Sequence, residues 1–307
     1  MALAVSCFGK LPFHREFLRL GLESAAGAWV AGWVEAAHAA WTRTGGAPGS
    51  SPLVRFAAIA QTRLVVGVVR QSSDGLRRHP VTFFVEDGGA VAAERWHLVP
   101  LACAGTWDAL SAILCGTFTA LSELVPALET GAPAPDLAGA EAAYAALLAR
   151  GCAEGAWQAF TGARGEGARH LALNLVTVAR AQRDARSAAE GVSMAVPLPD
   201  DPALAPGHGA LWLELFSAAA GVPAGRPALL LTTEPPRMVA LYRPPEGRDL
   251  AAVLGSLAMA PIDDLSEAWE SWPPADPSLA AAIERLVGDD CGPLGALPAR
   301  LRAVAAS

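Results

Sequence analysis

The sequence predicts an α/β (α+β) protein with a largely antiparallel central sheet, flanking helices and a helical C-terminal tail. Three observations lead to this fold class. Short runs rich in Val, Ile and Phe follow one another in hairpin order, which is typical of antiparallel strands. Longer segments repeat their apolar residues at helical spacing. Prolines punctuate the chain beyond Pro244, where two more helical segments are predicted.

The N-terminal part begins with a predicted strand over Leu3–Phe8 and a turn over Gly9–Pro12. A helix is predicted over Leu22–Trp41, because apolar residues recur there every four positions. These residues are Trp29, Trp33, Ala37 and Trp41. A Gly- and Pro-rich loop over Thr44–Pro52 follows. Three further strands are predicted after it: Leu53–Ile59, Thr62–Arg70 and Val81–Glu86.

Helices are predicted over Thr106–Leu124 and Leu137–Arg150, with Thr106 and Asp136 as candidate N-caps. Glycines predict a loop over Gly162–Gly167. The later predicted strands are Leu171–Val176, Val192–Val196, Leu211–Phe216, Ala228–Thr232 and Met238–Tyr242, with a helix over Arg180–Glu190 inserted among them. The predicted tail helices are Asp249–Met259 and Leu279–Val287.

We divide the chain into three parts on this pattern. Residues 1–130 form an N-terminal region, residues 131–245 add helices and strands to the same α/β body, and residues 246–307 form a Pro-punctuated helical tail. No internal repeat at a fixed period is evident.

Composition predicts a cytoplasmic protein that neither inserts into a membrane nor binds nucleic acid. The chain has 307 residues and is 52% hydrophobic, but its longest uncharged apolar window, Ala109–Ser122, is shorter than the roughly 18–20 residues that span a bilayer. A net charge of −7 argues against nucleic acid. Five scattered cysteines without a CxxC pair, and an N-terminus unlike a secretory signal, favour reduced thiols in the cytoplasm.

Motifs for catalysis are missing from the sequence, so we expect no enzyme, no cofactor and no metal site. No P-loop or G-x-S-x-G motif occurs, and Gly162–Gly167 leads into a predicted strand where a phosphate loop requires a helix. The six histidines are isolated from one another in sequence. The acidic pairs Asp263-Asp264 and Asp289-Asp290 are adjacent residues whose side chains point in different directions, which disfavours an acid/base pair.

Two patterns allow both a structural and a functional interpretation. The stripe of Trp29, Trp33 and Trp41 is typical of a helix packed on a core, but an exposed indole face also anchors partner proteins. A local basic cluster contains Arg70, Arg77, Arg78 and His79. Such a cluster is either a solvated turn that discourages edge pairing or a patch that binds carboxylate or phosphate.

Several ordered blocks of this sequence resemble the TagF (ImpM) family of type VI secretion accessory proteins. Gly9–Phe17 resembles the family's opening G-K-L-P-x-x-G-D-F, with Arg15 for Gly and Glu16 for Asp. Trp29 and Trp33 match the two tryptophans of the helix that follows. The further matching blocks are Ser51–Phe56 with Arg55 and Phe56, Gln71–Thr82 with Asp74, Arg78 and Pro80, and Ala210–Trp212 in a predicted strand.

This resemblance implies a cytoplasmic α/β protein that restrains type VI secretion by binding a forkhead-associated (FHA) scaffold protein, with no cofactor and no catalytic residue. It assigns the TagF-like part to residues 1–130. Two alternatives stay open, namely an assembly factor of the secretion baseplate and a degenerate, enzyme-like sensor of a small molecule.

The residues singled out by the patterns and the resemblance fall into two groups. Candidates for contact with a partner protein are Lys10, Arg15, Glu16, Asp74, Arg77, Arg78 and His79. Residues expected to support the fold are Gly9, Pro12, Phe17, Trp29, Trp33, Arg55, Phe56, Pro80 and Trp212. The turn pattern itself has a purely structural alternative, with Gly9 supplying backbone freedom and Pro12 the turn.

Overall fold

The structure is a computed structural model of the chain. It describes residues 2–43, 52–73, 78–89, 91–161, 166–221, 226–255, 262–267, 273–274, 276–288 and 292–306. The predicted loop over Thr44–Pro52 therefore lies outside the described residues except for Pro52, and Asp289-Asp290 lies outside them entirely.

Groups of strands and groups of helices follow one another along the chain. The strands are β1 (Ala2–Leu3), β2 (Ser6–Leu11), β3 (His14–Leu20), β4 (Val54–Ala60), β5 (Arg63–Ser73), β6 (Arg78–Asp87), β7 (Ala132–Pro133), β8 (Ser193–Pro197), β9 (Ala228–Thr233), β10 (Pro236–Leu241) and β11 (Asp263–Asp264). The helices are α1 (Ala25–Arg43), α2 (Val99–Ala102), α3 (Ala104–Leu114), α4 (Leu121–Thr130), α5 (Leu137–Arg150), α6 (Ala153–Thr161), α7 (Glu166–Asp184), α8 (Ala205–Ala220), α9 (Gly247–Leu254), α10 (Pro277–Val287) and α11 (Leu297–Ala306).

Nine of these strands form one mixed sheet, in the order β11-β8-β10-β9-β4-β5-β6-β2-β3. Neighbouring strands are antiparallel except for β11, which runs parallel to β8. The pairing of β4 with β9 joins strands from distant parts of the sequence into a continuous sheet. This arrangement confirms the predicted fold class.

Helices cover both faces of the sheet. One face packs against α1 and α9, through a core that includes Val30, Val34, Phe56 and Leu250. The core on the opposite face includes residues of most of the remaining helices, among them α3, α7, α8, α10 and α11. Strand residues alternate between the two cores because successive side chains of a strand point to opposite faces.

The predicted secondary structure is correct for most of the N-terminal region and for the hairpin of β9 and β10. Helix α1 matches the spacing of the tryptophans, and β4, β5 and β6 match the three predicted strands closely. Asp136 is the N-cap of α5, since its side chain accepts a hydrogen bond from the backbone N–H of Gly139 (2.9 Å). The two predicted tail helices correspond to α9 and α10.

Two predicted strands, Leu171–Val176 and Leu211–Phe216, are wrong. Both segments lie inside helices, the first in α7 and the second, with Trp212, in α8. The predicted helix over Arg180–Glu190 is the end of α7 and a separate short 3-10 turn. Helix α8 is buried on nearly every side, so its sequence carries no polar face. Short apolar runs of this kind do not distinguish a buried helix from a strand.

The predicted helix over Thr106–Leu124 is also wrong, because it is two helices. Helix α3 ends at Leu114 and α4 begins at Leu121. Thr106 is not an N-cap but a buried residue within α3, and its hydroxyl donates to the carbonyl of Pro133 (2.7 Å). The break opens the helical layer at residues 115–120, above one end of the sheet.

Helix α9 is fixed to the chain before it by a buried ion pair. Both carboxylate oxygens of Asp249 accept hydrogen bonds from Arg243, at 2.5 and 2.8 Å, and Asp249 is fully buried. This pairing raises the pKa of Arg243. A Cβ at Gly247 would lie 2.4 Å from the backbone of Ala36, so α9 and α1 approach closely at that point.

Candidate protein-binding surface

The first TagF-like block forms a bulged strand followed by a tight hairpin. Gly9 has φ +127°, and a Cβ there would lie 2.2 Å from the carbonyl oxygen of Pro80 on β6. The register of β2 against β3 shifts between Gly9 and Leu11, as in a β-bulge. The predicted turn over Gly9–Pro12 is therefore wrong for Gly9 and Lys10, which lie within β2. The turn itself passes through Pro12 and Phe13.

The hairpin places charged side chains at the edge of the sheet. Strand β3 is the edge strand at the end of the sheet opposite to β11, and the side chains of its residues Arg15 and Glu16 are exposed. Lys10 reaches across the turn, where its Nζ donates to the carbonyl oxygen of Arg15 (3.0 Å). This bond holds the hairpin closed while the side chains of Arg15 and Glu16 face solvent.

An aromatic cluster connects this hairpin to β6 and α1. The ring of Phe17 lies 4.9 Å from that of Phe8 and 4.5 Å from that of His79, measured between centroids. His79 in turn lies 4.5 Å from His38 of α1. Sequence reasoning did not find this cluster, because its members are far apart in the chain.

The environment of His79 favours the neutral imidazole. Burial lowers its pKa to about 4, and the neighbouring His38 and Lys10 add to the effect. Its Nδ1 donates to the carbonyl oxygen of Pro80 (2.7 Å), which opposes the shift without cancelling it. Burial also lowers the pKa of His38. His79 is only 8% exposed, so its side chain belongs to the interior cluster and presents little surface to a partner.

The described part of the basic segment lies at the start of β6, the strand that pairs with β2. Arg78 is the first residue of β6 and pairs with Ser73 of β5. Three residues further along β6, Val81 pairs with Gly9 of β2. Asp74 and Arg77 lie outside the described residues. Arg78 and the Lys10 hairpin are therefore on adjacent strands, β6 and β2.

The tryptophans of α1 belong mainly to the core. Trp33 and Trp41 are buried, and the indole N–H of Trp33 donates to the carbonyl oxygen of Glu246 (3.0 Å). Trp29 is half-buried and stacks on Trp33, with ring centroids 5.4 Å apart. Only Trp29 thus offers part of its indole to solvent.

The remaining TagF-like residues also have structural contacts. Arg55 forms an ion pair with Asp108 on α3 (2.7 Å). Phe56 is buried against Trp33, and its carbonyl oxygen accepts the indole N–H of Trp107 (3.0 Å). Trp212 is fully buried, and its indole N–H donates to the carbonyl oxygen of Pro197 (3.1 Å).

A groove of about 320 Å³ opens beside the hairpin, where the helical layer is interrupted between α3 and α4. We name it the α3–α4 groove; its lining includes Leu11, Phe13, Arg70, Phe83, Ile113 and Phe118. Gly116 lets the ring of Phe118 lie over the end of α3, since a Cβ there would meet that ring at 2.6 Å. The sequence offered Arg70 as part of the basic cluster but gave no sign of the groove.

A second concavity, a cleft of about 450 Å³, lies between α8, α11 and the 3-10 helix Ala93–Leu98. Polar side chains in its lining include His97, Glu214, Ser217 and Arg302. The hydroxyl of Tyr144 donates to the Glu214 carboxylate at 2.5 Å. Burial lowers the pKa of His97, against the opposing effect of Glu214. Sequence reasoning missed this cleft, because its lining comes from separate parts of the chain.

In the described ranges, no three side chains of His, Cys, Asp or Glu come together as a metal site would require. The described cysteines are free thiols, of which Cys7 and Cys103 are buried and Cys115 and Cys152 are exposed.

Among the described helices, none is long and apolar enough by itself to cross a membrane, although the bent pair Ala93–Ala102 and Ala104–Leu114 meets the criterion when its two parts are counted together.

Neither the known protein-family models nor the curated proteins include a match to this chain.

Proposed function

We propose that the chain is a cytoplasmic regulator of type VI secretion that acts by binding another protein, an FHA-domain scaffold, and not by catalysis. The proposal starts from the ordered TagF-like blocks of the sequence. One structural observation supports it: the first block, Gly9–Phe17, and the basic segment that includes Arg78 lie on adjacent strands. Strand β2, with Lys10, pairs with β6, which begins at Arg78.

The surface formed by these two blocks is suited to protein recognition. Arg15 and Glu16 are exposed on the edge strand β3. Arg78 is the first residue of β6, which pairs with β2. Arginine binds carboxylate and phosphate groups through its planar guanidinium. The half-buried Phe17 of the hairpin packs against the buried His79 of β6, and this contact supports the position of the hairpin.

Scaffold capture by purified proteins tests this function. The double variant Arg77→Glu plus Arg78→Glu should weaken capture of the FHA scaffold, while its thermal denaturation stays close to that of the wild type. A matched control is Arg150→Glu plus Arg186→Glu, which makes the same charge change at exposed positions on α5 and after α7. Unimpaired capture by the first variant removes the basic segment from the proposal. Failure of the wild type to capture the scaffold contradicts the function.

The cleft beside α8 favours a second candidate, a sensor of a small molecule. Its volume falls within the range of ligand sites, roughly 300–1,000 Å³, and it combines Glu214 and Arg302 with apolar walls. Mass spectrometry of the gently purified protein should then detect a bound metabolite that is lost on Glu214→Gln substitution. An assembly factor of the secretion baseplate is distinguished by co-purification with baseplate proteins in fixed stoichiometry.

A further inference from the structure

The α3–α4 groove contains a cationic side chain, Arg70, without an ion-pair partner among the described residues. Val66, Val68 and Arg70 alternate along β5 and face the helical layer, and the two valines are buried there. Arg70 lies on the part of β5 that α3 does not cover. Its side chain is half-buried and lines the groove. No carboxylate or hydrogen-bond acceptor among the described residues contacts its guanidinium.

Edge protection does not explain this arginine. Charged residues that discourage strand pairing belong on edge strands, whereas β5 lies between β4 and β6 in the interior of the sheet. Of the described residues that line the groove, Arg70 is the only charged one. The carboxylate of Glu123, at the start of α4, is engaged by the backbone N–H of Thr119 (2.7 Å).

The groove thus combines apolar walls with one guanidinium. Phe13, Ile113 and Phe118 are partly buried and pack against the core, leaving part of each side chain toward the groove. A volume of about 320 Å³ is at the lower limit of ligand sites and too small for a large cofactor. It suits one or two side chains of a peptide, for which a buried anchor in a pocket is the usual hot spot.

We propose that the α3–α4 groove binds an extended segment of a partner protein that carries a bulky apolar side chain next to a carboxylate. The apolar side chain packs against Phe13 and Phe118, and the carboxylate pairs with Arg70. This inference rests on the proposed protein-binding function and specifies the chemistry of the segment recognised.

Peptide titrations followed by NMR test the inference. Three peptides with a common Gly/Ser background present Phe-Asp, Phe-Asn or Ala-Asp, and binding is followed at the Gly116 amide and the Arg70 Nε–H. A charge-assisted hydrogen bond predicts that Phe-Asp binds the wild type about tenfold tighter than Phe-Asn does. Arg70→Gln should remove this preference, Phe118→Ala should weaken both Phe peptides, and Arg150→Gln should change nothing.

The possible outcomes separate the groove from the wider function. Equal binding of Phe-Asp and Phe-Asn, no binding of any peptide, or an unchanged preference in Arg70→Gln overturns the inference. Binding of 3-phenylpropionate without binding of Phe-Asp also overturns it, because the groove then takes a free carboxylate and not a protein segment. Scaffold capture measured on the same variants reports on the proposed function separately: capture retained by Arg70→Gln leaves that function intact while removing the groove from it.

Discussion

At the scale of single residues, several TagF-like positions have a structural explanation. Gly9 permits a close approach of β2 to Pro80 on β6, Trp33 bonds to the chain before α9, and Phe56 is buried between Trp33 and Trp107. Such contacts require these residue types whatever the protein binds. Of the candidates for partner contact, Arg15 and Glu16 have exposed side chains.

Replacement of Gly9 tests the structural interpretation of the first block. Gly9→Ala should lower the free energy of unfolding by about 1–3 kcal/mol from the positive φ alone, and the 2.2 Å approach of the new Cβ to Pro80 adds to that cost. Gly32→Ala is the matched control, since Gly32 lies in α1 with no atom near its potential Cβ. That change should stabilise the protein by up to about 1 kcal/mol. Urea denaturation of both variants provides the measurement, and equal stability of the two would contradict the bulge at Gly9.

At the scale of elements, the sequence predicts best where periodicity is distinct. The four-residue spacing of tryptophans identified α1, and Val-rich runs between turns identified β4, β5 and β6. Helix α8 escaped prediction because its burial on nearly all sides removes the polar face that reveals a helix. The groove and the aromatic cluster escaped it for another reason: Phe17, His38 and His79 meet only through strand pairing and helix packing.

The ion pair at the start of α9 should contribute more to stability than any surface pair. Asp249→Asn leaves the guanidinium of Arg243 without its carboxylate in a buried site, which should cost about 3–5 kcal/mol. Glu141→Gln is the control: it makes the same chemical change at an exposed pair with Arg95, where the cost should stay below about 1 kcal/mol. Urea denaturation measures both changes. A similar cost for the two variants would show that α9 does not depend on the pair.

At the scale of the whole molecule, two cores on opposite faces share one sheet, and the β4–β9 pairing joins early and late parts of the chain. Local losses of stability should therefore affect the sheet as a unit. The contact between His38 and His79 links a helix to this sheet, because His38 belongs to α1 and His79 to β6. Protonation of these side chains acts on the contact between the helix and the sheet.

Stability should consequently fall as the pH is lowered from about 6.5 to 4. Burial lowers the pKa of His79 from 6.5 to about 4, and it lowers the pKa of His38 as well. Within this window the unfolded chain binds protons that the folded chain resists, so the free energy of unfolding decreases with decreasing pH. Above the unfolded pKa the two states bind equally few protons at these sites, and this contribution no longer depends on pH. Asp263, whose pKa burial raises, acts in the opposite direction.

Urea denaturation at a series of pH values measures this dependence, and the His79→Gln variant assigns it. Because glutamine does not titrate, the variant should lose stability less steeply than the wild type between pH 6.5 and 5, the range in which His79 resists protonation. His14→Gln, which makes the same substitution on the nearby hairpin, serves as the control. An unchanged slope in His79→Gln would show that protonation of His79 is not coupled to folding.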